Sequence, residues 1–230
     1  MKKVTIIMPV FNEKDTIKEI LEKVKAASFA GLEKEIILVD DYSSDGTRDI
    51  LKMLEAEYKI LYHEKNKGKG AAIRTAVKEA SGDFIVIQDA DLEYLPDDYD
   101  KLLPFLINDE ADTVYGSRFK NTENGKNFIL KNKLANMFLT LLTNILYGCS
   151  ISDMETCYKA FKRELIQGIE IKSDRFDFEP EITAKILKRK ARLKEVPISY
   201  AGRGHDEGKK INWKDGIQAV LALIKYRFTD

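Results

Sequence analysis

The feature that most constrains the fold is the repeated alternation of short apolar runs with longer segments of helical period. Five apolar runs occur at 4–8, 35–39, 59–62, 84–87 and 113–115, and four helical segments occur near 15–28, 46–57, 69–80 and 97–108. In the first helical segment, Ile17, Leu21 and Val24 have the spacing of a buried helical face. Apolar strands between helices are typical of a parallel sheet covered on both faces, so the pattern predicts an α/β fold.

The second half of the chain has a different character. After a polar loop at 119–127, a long apolar helical stretch at 128–147 is followed by a mixed segment, a helix near 179–190 and an amphipathic helix from about Trp213. The 230 residues, 44% of them hydrophobic, suffice for one large core. We therefore expect a single domain.

Charge and cysteine content narrow the cellular setting. Lys plus Arg and Asp plus Glu both number 38, which argues against a nucleic-acid-coating protein. The two cysteines, Cys149 and Cys157, match no metal-ligand spacing and predict reduced thiols. We find neither a signal-peptide pattern nor a run of about 18 apolar residues. These features predict a cytoplasmic protein without a membrane span.

Polar residues gather directly after the predicted strands, at 9–13, 40–44 and 88–93. In open α/β sheets the ligand site lies beyond the carboxyl ends of the strands. We expect these three segments to line one site.

The most informative of these segments is acidic. Asp89, Asp91 and Glu93 follow the apolar run 84–87 at alternate positions, so strand periodicity predicts that they share one side. Oxygen donors of this kind suit Mg²⁺ or Mn²⁺ bound together with substrate phosphates. The alternative is that the carboxylates cap the next helix or face water. Three of them after a buried strand favour a metal site.

A glycine-rich turn at 66–70 opens the third helical segment. Its N–H groups and lysines, including Lys67 and Gly68, have the features of an anion contact. Close helix packing around a tight turn is an equally good interpretation. The turn lacks the Walker A spacing, and no Gly-x-Gly-x-x-Gly follows the first strand, which disfavours a dinucleotide-dependent dehydrogenase.

Several motifs together resemble family 2 glycosyltransferases, in particular the polyprenyl-phosphate (dolichyl-phosphate) mannose and glucose synthases without transmembrane segments. The motifs are Pro9-Val10-Phe11-Asn12-Glu13, Val39-Asp40-Asp41 with the following Ser-x-Asp-Gly-Thr, Asp89-Ala90-Asp91, and Tyr115-Gly116-Ser117-Arg118. Their order and spacing match over almost the whole chain. The resemblance implies a GT-A (Rossmann-like) three-layer fold with a mostly parallel sheet.

The resemblance also implies roles for individual residues. Residues 1–118 would form the nucleotide-sugar-binding half and 119–230 the acceptor half. The expected donor-binding residues are Pro9, Phe11, Glu13, Val39 and Asp41, to which the glycine-rich turn adds Lys67 and Gly68. The metal would be held by Asp89, Asp91 and Glu93, and the acceptor phosphate by Arg118, Lys131, Lys133, Arg203 and Lys209. Asp89, Asp91 and Asp153 are the expected catalytic residues.

Two positions depart from the family pattern. Glu93 stands where some dolichyl-phosphate mannose synthases have Gln, which adds a negative charge beside the metal. Lys131 and Lys133 stand where relatives often have Arg or His, so phosphate binding is retained without bidentate geometry. The first departure weakens any transfer of the relatives' donor preference.

The implied reaction is metal-dependent transfer of a hexose, with inversion, from UDP-glucose or GDP-mannose to a polyprenyl phosphate. An anionic phosphate acceptor requires no strong base. The alternatives are transfer to a saccharide or other soluble hydroxyl acceptor, for which Asp153 or Asp89 is the candidate base, and a catalytically silent nucleotide-sugar-binding module.

The stretch 128–146 carries a broad apolar band next to Lys126, Lys131 and Lys133. This pattern suits an amphipathic helix on anionic lipid, which predicts peripheral contact with the cytoplasmic membrane face. A buried core helix or a dimer interface has nearly the same pattern.

Overall fold

The computed structural model describes residues 1–122, 130–202 and 213–229. The strands in these ranges are β1 (Lys3–Val10), β2 (Glu33–Asp40), β3 (Lys59–Tyr62), β4 (Phe84–Ile87), β5 (Thr113–Ser117), β6 (Lys159–Lys162) and β7 (Leu193–Pro197). The helices are α1 (Ile17–Ala26), α2 (Thr47–Met53), α3 (Lys69–Glu79), α4 (Tyr99–Ile107), α5 (Leu130–Tyr147), α6 (Arg163–Gln167), α7 (Phe178–Lys188) and α8 (Trp213–Phe228).

The strands form one sheet in the order β3-β2-β1-β4-β6-β5-β7. Every neighbouring pair is parallel except those of β6, which runs antiparallel to β4 and β5. Because β6 is reversed, the segment that precedes it arrives at the edge where β1, β2, β4 and β5 end. The predicted single-domain α/β fold with a mostly parallel sheet is confirmed.

The five predicted strands are present, whereas β6 and β7 were missed. Strand β6 begins at Lys159 and ends at Lys162, and β7 has two adjacent charged residues in its centre and ends at Pro197. Neither segment contains the uninterrupted apolar run by which the other strands were recognised. Strand β7 lies at the edge of the sheet, where a proline is tolerated.

The helices follow the predicted pattern with one local correction. Ile17, Leu21 and Val24 are buried, as the spacing predicted. The position of Asp45, directly before the helical segment near 46–57, suits an N-cap in the sequence, but Gly46 holds that position of α2, with φ of 103°. The Asp45 carboxylate still serves the first turn, since it accepts hydrogen bonds from the N–H and hydroxyl of Thr47 at 3.0 and 2.6 Å.

Helices α5 and α8 pack together over a small separate core that includes Leu139, Met154 and Leu223. The buried face of α5 is largely polar, because Asn136, Thr140 and Thr143 point inward. No helix among the described residues combines the length and apolar character needed to span a bilayer.

The N-terminus of α3 packs against the backbone of residues 173–175, and two glycines permit this approach. Ala71 N–H donates to the Asp174 carbonyl oxygen at 3.0 Å. A Cβ at Gly68 or Gly70 would overlap a carbonyl oxygen of this segment, and Gly68 also has φ of 102°. The contact fixes α3 relative to the chain that leads into α7.

This contact predicts that Gly70→Ala lowers the free energy of unfolding by about 1–3 kcal/mol, the usual cost of an overpacked site. Gly216→Ala is the matched control, because Gly216 lies in α8 and a Cβ there would meet no atom within 4 Å. That substitution should raise stability by up to about 1 kcal/mol through helix propensity. Urea unfolding followed by circular dichroism measures both changes, and equal stability of the two variants would contradict the close packing.

Candidate active site

Three strand ends at the carboxyl edge are followed by non-glycine residues with left-handed backbone conformation. Asn12 follows β1, Tyr42 follows β2 and Leu92 lies beyond β4, with φ of 53°, 69° and 65°. Such residues cost about 1–3 kcal/mol each and concentrate at functional sites. Asn12 is fixed by hydrogen bonds of 2.9 Å with the Ser43 hydroxyl and the Ser44 N–H. This edge is therefore the candidate site.

The residues expected to hold the nucleoside differ in accessibility. Pro9 and Phe11 are partly exposed where β1 ends. Val39 is fully buried in β2, so its side chain has no accessible surface, and its role at the nucleoside stays a prediction. Glu13 is also buried, and its carboxylate accepts a hydrogen bond of 2.8 Å from the Thr16 hydroxyl. Pro9 and Phe11 remain the accessible donor-side residues of this group.

Asp41 holds the glycine-rich turn in place. Its buried carboxylate accepts hydrogen bonds from the N–H groups of Lys67 and Gly68 at 2.8 and 2.7 Å, and Nδ1 of His63 lies 2.7 Å away. The N–H groups that were expected to face an anion are thus already engaged. The structure favours the packing interpretation of this turn, with Asp41 as its anchor.

The acidic segment does not continue β4, which ends at Ile87. Leu92 has positive φ, so strict strand alternation does not apply to the residues around it. The Asp91 carboxylate accepts the Glu93 N–H at 3.1 Å. The Glu93 carboxylate accepts the Tyr200 hydroxyl at 3.0 Å.

Asp89 forms an ion pair with Lys69, a residue of the glycine-rich turn for which the sequence predicted no such contact. Nζ of Lys69 lies 2.9 and 3.1 Å from the two Asp89 carboxylate oxygens and 3.0 Å from Oε1 of Glu179. Burial by itself lowers the pKa of Lys69, but Asp89, Cys157 and Glu179 outweigh it and hold the pKa well above its ordinary value. Lys69 is therefore an ammonium ion between two carboxylates.

Asp89, Asp91 and Glu93 were expected to bind a metal ion together. Within the described parts of the chain, no three His, Cys, Asp or Glu side chains form a ready metal-binding group. Asp89, Asp91 and Glu93 thus do not make the three-ligand cluster that alternation predicted. Mg²⁺ commonly takes one or two carboxylates and completes its shell with water and substrate phosphates. Asp89 and Asp91, both partly exposed, fit an ion that binds together with a diphosphate.

On the other side of the site, Arg118 after β5 forms a bidentate ion pair with Asp153. Nε and one terminal nitrogen of Arg118 each lie 2.7 Å from an Asp153 oxygen, and the Arg118 backbone N–H donates at 2.9 Å. Asn136 of α5 donates to the same carboxylate at 2.9 Å. The arginine stands over the ring of Tyr200, 5.3 Å from its centroid.

This geometry corrects the role expected for Asp153. Burial by itself raises the pKa of Asp153, but the Arg118 guanidinium lowers it below the ordinary value. The carboxylate is fully buried and accepts four hydrogen bonds, so it does not reach a substrate hydroxyl. Asp153 therefore positions Arg118 and is not placed to remove a proton.

Behind these pairs lies a buried group of ionisable residues that the sequence did not predict. Burial and the neighbouring Glu179 raise the pKa of Glu155 to about 8, and burial lowers the pKa of Lys159. The Lys159 ammonium donates to the carbonyl oxygens of Met154 and Thr156. No single motif signals this group, because Glu179 joins Glu155 and Lys159 from a different segment of the chain.

Of the other residues expected at the acceptor phosphate, two lie within the described residues. Lys131 is exposed and Lys133 half-buried in the first turn of α5. Arg203 and Lys209, and Lys126 beside the apolar band, lie outside the described residues. Tyr200, which contacts both Glu93 and Arg118, was missed because an aromatic residue before a glycine-rich stretch gives no specific signal.

Comparison with known proteins agrees with this architecture. The model of glycosyl transferase family 2 matches residues 5–169. The chain is 32% identical to the UDP-N-acetylglucosamine–dolichyl-phosphate N-acetylglucosaminyltransferase of Methanococcus voltae, over 97% of this chain and 95% of that protein. It is 30% identical to the dolichol-phosphate mannosyltransferase of Pyrococcus furiosus, over 90% of this chain and 59% of that protein.

A solved structure extends the comparison to the fold. Glucosyl-3-phosphoglycerate synthase from Mycobacterium tuberculosis, crystallised with Mn²⁺, UDP and phosphoglyceric acid, matches with a TM-score of 0.75 and 19% identity, over 100% of this chain and 80% of that chain. The fold is of the GT-A type, and the family match and the relatives show that the chain is a glycosyltransferase. The chain belongs to glycosyltransferase family 2.

The buried ion pair predicts a large effect of Asp153→Asn. Leaving Arg118 buried without its counter-ion should lower the free energy of unfolding by about 3–5 kcal/mol at pH 7. Because the folded-state pKa of Asp153 is depressed, its stabilisation is present above the unfolded pKa of about 3.9 and is lost as pH falls through the folded value. Urea unfolding should therefore show a constant deficit above about pH 5 that shrinks below about pH 4.

Asp109→Asn is the control for this experiment. Asp109 pairs with Arg192 at 2.5 Å, but both side chains are at least half exposed. An exposed pair is screened by water and contributes little to stability. A deficit for Asp153→Asn no larger than that of Asp109→Asn would contradict the buried ion pair.

Proposed function

We propose that this protein transfers a hexose, with inversion, from a UDP- or GDP-sugar to a polyprenyl phosphate, with Mg²⁺ or Mn²⁺ as cofactor. One observation carries the proposal: the arginine at the candidate acceptor site is tied to a helix with an exposed apolar face. Asn136 of α5 donates to Asp153, which holds Arg118. An acceptor with a lipid tail and a phosphate head matches these two surfaces.

The relatives support this acceptor class. The Methanococcus voltae and Pyrococcus furiosus proteins are named for dolichyl phosphate, and a 30%-identical relative from Salmonella paratyphi A is named for undecaprenyl phosphate. Their sugars differ, so the relatives leave the donor sugar open.

The proposed roles follow from the positions of the side chains. Pro9 and Phe11 contact the nucleoside beside the end of β1. A divalent ion, where bound, stabilises the negative charge of the departing nucleotide diphosphate, and Asp89 and Asp91 are its proposed protein ligands. Arg118, held rigid by Asp153, orients the acceptor phosphate. An anionic phosphate oxygen attacks without deprotonation, so the burial of Asp153 is compatible with the reaction.

The exposed face of α5 and α8 is the proposed contact with the membrane. Nine large apolar side chains on these helices are 44–80% exposed: Leu134, Met137, Phe138, Leu141 and Ile145 on α5, and Ile217, Leu221, Ile224 and Phe228 on α8. This exposure rules out the alternative that this face of α5 lies in the core of the chain. A contiguous apolar face of this size marks an interaction surface.

Lipid is favoured over a second protein copy by the charges at the helix ends. Lys131 is exposed at the start of α5, and Lys225 and Arg227 are exposed in the last turn of α8. Basic residues beside an apolar helix face are typical of helices that lie on anionic membranes, where each adds about 1 kcal/mol. We therefore propose peripheral binding to an anionic bilayer.

The reaction is tested with a panel of UDP- and GDP-sugars, Mg²⁺ or Mn²⁺, and a short polyprenyl phosphate or phosphoglyceric acid as acceptor. We expect metal-dependent formation of a polyprenyl-phosphate sugar. Transfer to the soluble acceptor alone would contradict the lipid acceptor, and full activity in the presence of a chelator would contradict the metal role. Nucleotide-sugar binding without transfer to either acceptor would favour a silent binding module.

The metal role predicts that Asp91→Asn lowers the transfer rate about 10–100-fold, because a neutral amide binds a divalent ion more weakly. Asp97→Asn is the control, since Asp97 is exposed on the same segment and carries the same charge change. Initial rates at saturating acceptor, with circular dichroism to verify folding, measure the effect. Equal rates for the two variants would contradict the assignment of Asp91.

The membrane proposal predicts that the protein co-sediments with anionic vesicles at low ionic strength and less so at high salt. Phe138→Glu should reduce this binding without loss of nucleotide affinity, because the side chain is 57% exposed. Met53→Glu is the matched control, with an exposed apolar side chain on α2. Absence of vesicle binding, together with a dimer that Phe138→Glu dissociates, would identify the face as a protein interface.

A further inference from the structure

The contact between Lys69, Asp89 and Glu179 has a consequence for metal binding. The three side chains are 14%, 20% and 6% exposed, so little water screens their charges. Nζ of Lys69 is close to both oxygens of Asp89 and to only one oxygen of Glu179. A cation of the chain itself therefore lies within hydrogen-bond distance of both oxygens of a proposed metal ligand.

A divalent ion and the Lys69 ammonium cannot both bind the Asp89 oxygens closely. At a separation of about 3–4 Å, repulsion between cations is large where water is largely excluded. Lysine has a flexible four-carbon stem and three rotatable donors, so a small rotation can move its ammonium group. The ammonium needs another acceptor if the ion is to take Asp89.

Glu179 supplies that acceptor. Its Oε2 is buried and has no hydrogen-bond partner among the described residues. A buried carboxylate oxygen without a partner is costly, so the site is poised to take a further donor. Glu179 enters from the start of α7, an element separate from the strand end that carries Asp89.

We propose that Lys69 is an internal counter-ion that occupies Asp89 in the metal-free enzyme and is released to Glu179 when a divalent ion binds. This inference rests on the proposed metal role of Asp89. Lys69 competes with the ion, so the ion alone binds weakly, and the charge of a nucleotide diphosphate is needed to favour it. Lys69 and Glu179 are thus positioning residues that couple metal binding to donor binding.

The test is Mn²⁺ binding to the full chain, followed by the electron paramagnetic resonance signal of free Mn²⁺, without nucleotide and with UDP or GDP. Lys69→Met removes the competing cation and should tighten Mn²⁺ binding without nucleotide by roughly tenfold or more, the scale of changes beside metal ligands. Glu179→Gln removes the negative charge of the second acceptor, leaves Lys69 on Asp89, and should weaken Mn²⁺ binding. Lys69→Arg keeps the cation and should stay near wild type.

The inference predicts that the two substitutions change the Mn²⁺ affinity in opposite directions, which a purely structural role of these residues does not. General damage to the site would weaken Mn²⁺ binding in both variants, which would overturn the inference, as would unchanged binding in both. If Lys69→Met does not fold, Lys69→Gln, which also removes the competing cation, takes its place in the comparison with Glu179→Gln. Mn²⁺ binding to wild type that fails with both nucleotides would overturn this inference together with the metal part of the proposed function.

Discussion

The carboxyl edge of the sheet depends on the neutralisation of charges that are buried where the strands end. Asp40 pairs with Arg48 at 2.5 Å, and the pairs of Asp89 with Lys69 and Asp153 with Arg118 have separations of 2.9 and 2.7 Å. Each pair joins residues from two different elements. Because an uncompensated buried charge costs several kcal/mol, the ends of β2, β4 and β5 are each tied to the element that supplies the partner.

These ties connect the first part of the chain to the second. Lys69 in α3 reaches Glu179 in α7, and the glycines at the start of α3 admit the backbone that leads into α7. On the other side of the site, Arg118 after β5 is held by Asp153, which lies in the segment that leads into the reversed strand β6. The antiparallel strand is therefore what brings residues 153–159 to the edge where the parallel strands end. A sheet with only parallel neighbours would place this segment at the opposite edge.

The sequence predicted the features that depend on local pattern and missed those that depend on pairing across the chain. Uninterrupted apolar runs identified β1 to β5, and motif order identified the family, whereas the lysines that bound β6 concealed it. The acidic segment was found, but the positive φ of Leu92 invalidated the alternation from which its geometry was inferred. Spacing along the chain cannot show that Lys69 meets Glu179, or that Asp153 is saturated by Arg118 and Asn136.

Helix α5 shows why an apolar face can remain outside a folded protein. Its inward positions are constrained by polar contacts: Asn136 donates to Asp153, and the Thr140 hydroxyl donates to the Asn136 side chain at 3.2 Å and accepts the Met154 N–H at 3.1 Å. If α5 were rotated so that its apolar stripe faced inward, Asn136 and Thr140 would lose these contacts. Asp153, and through it Arg118, would then lose their support from the helix. The apolar residues then occupy the outer face, where the proposed contact with lipid would remove them from water. The helix proposed to contact lipid is thereby the same helix that supports, through Asp153, the arginine proposed to bind the acceptor phosphate.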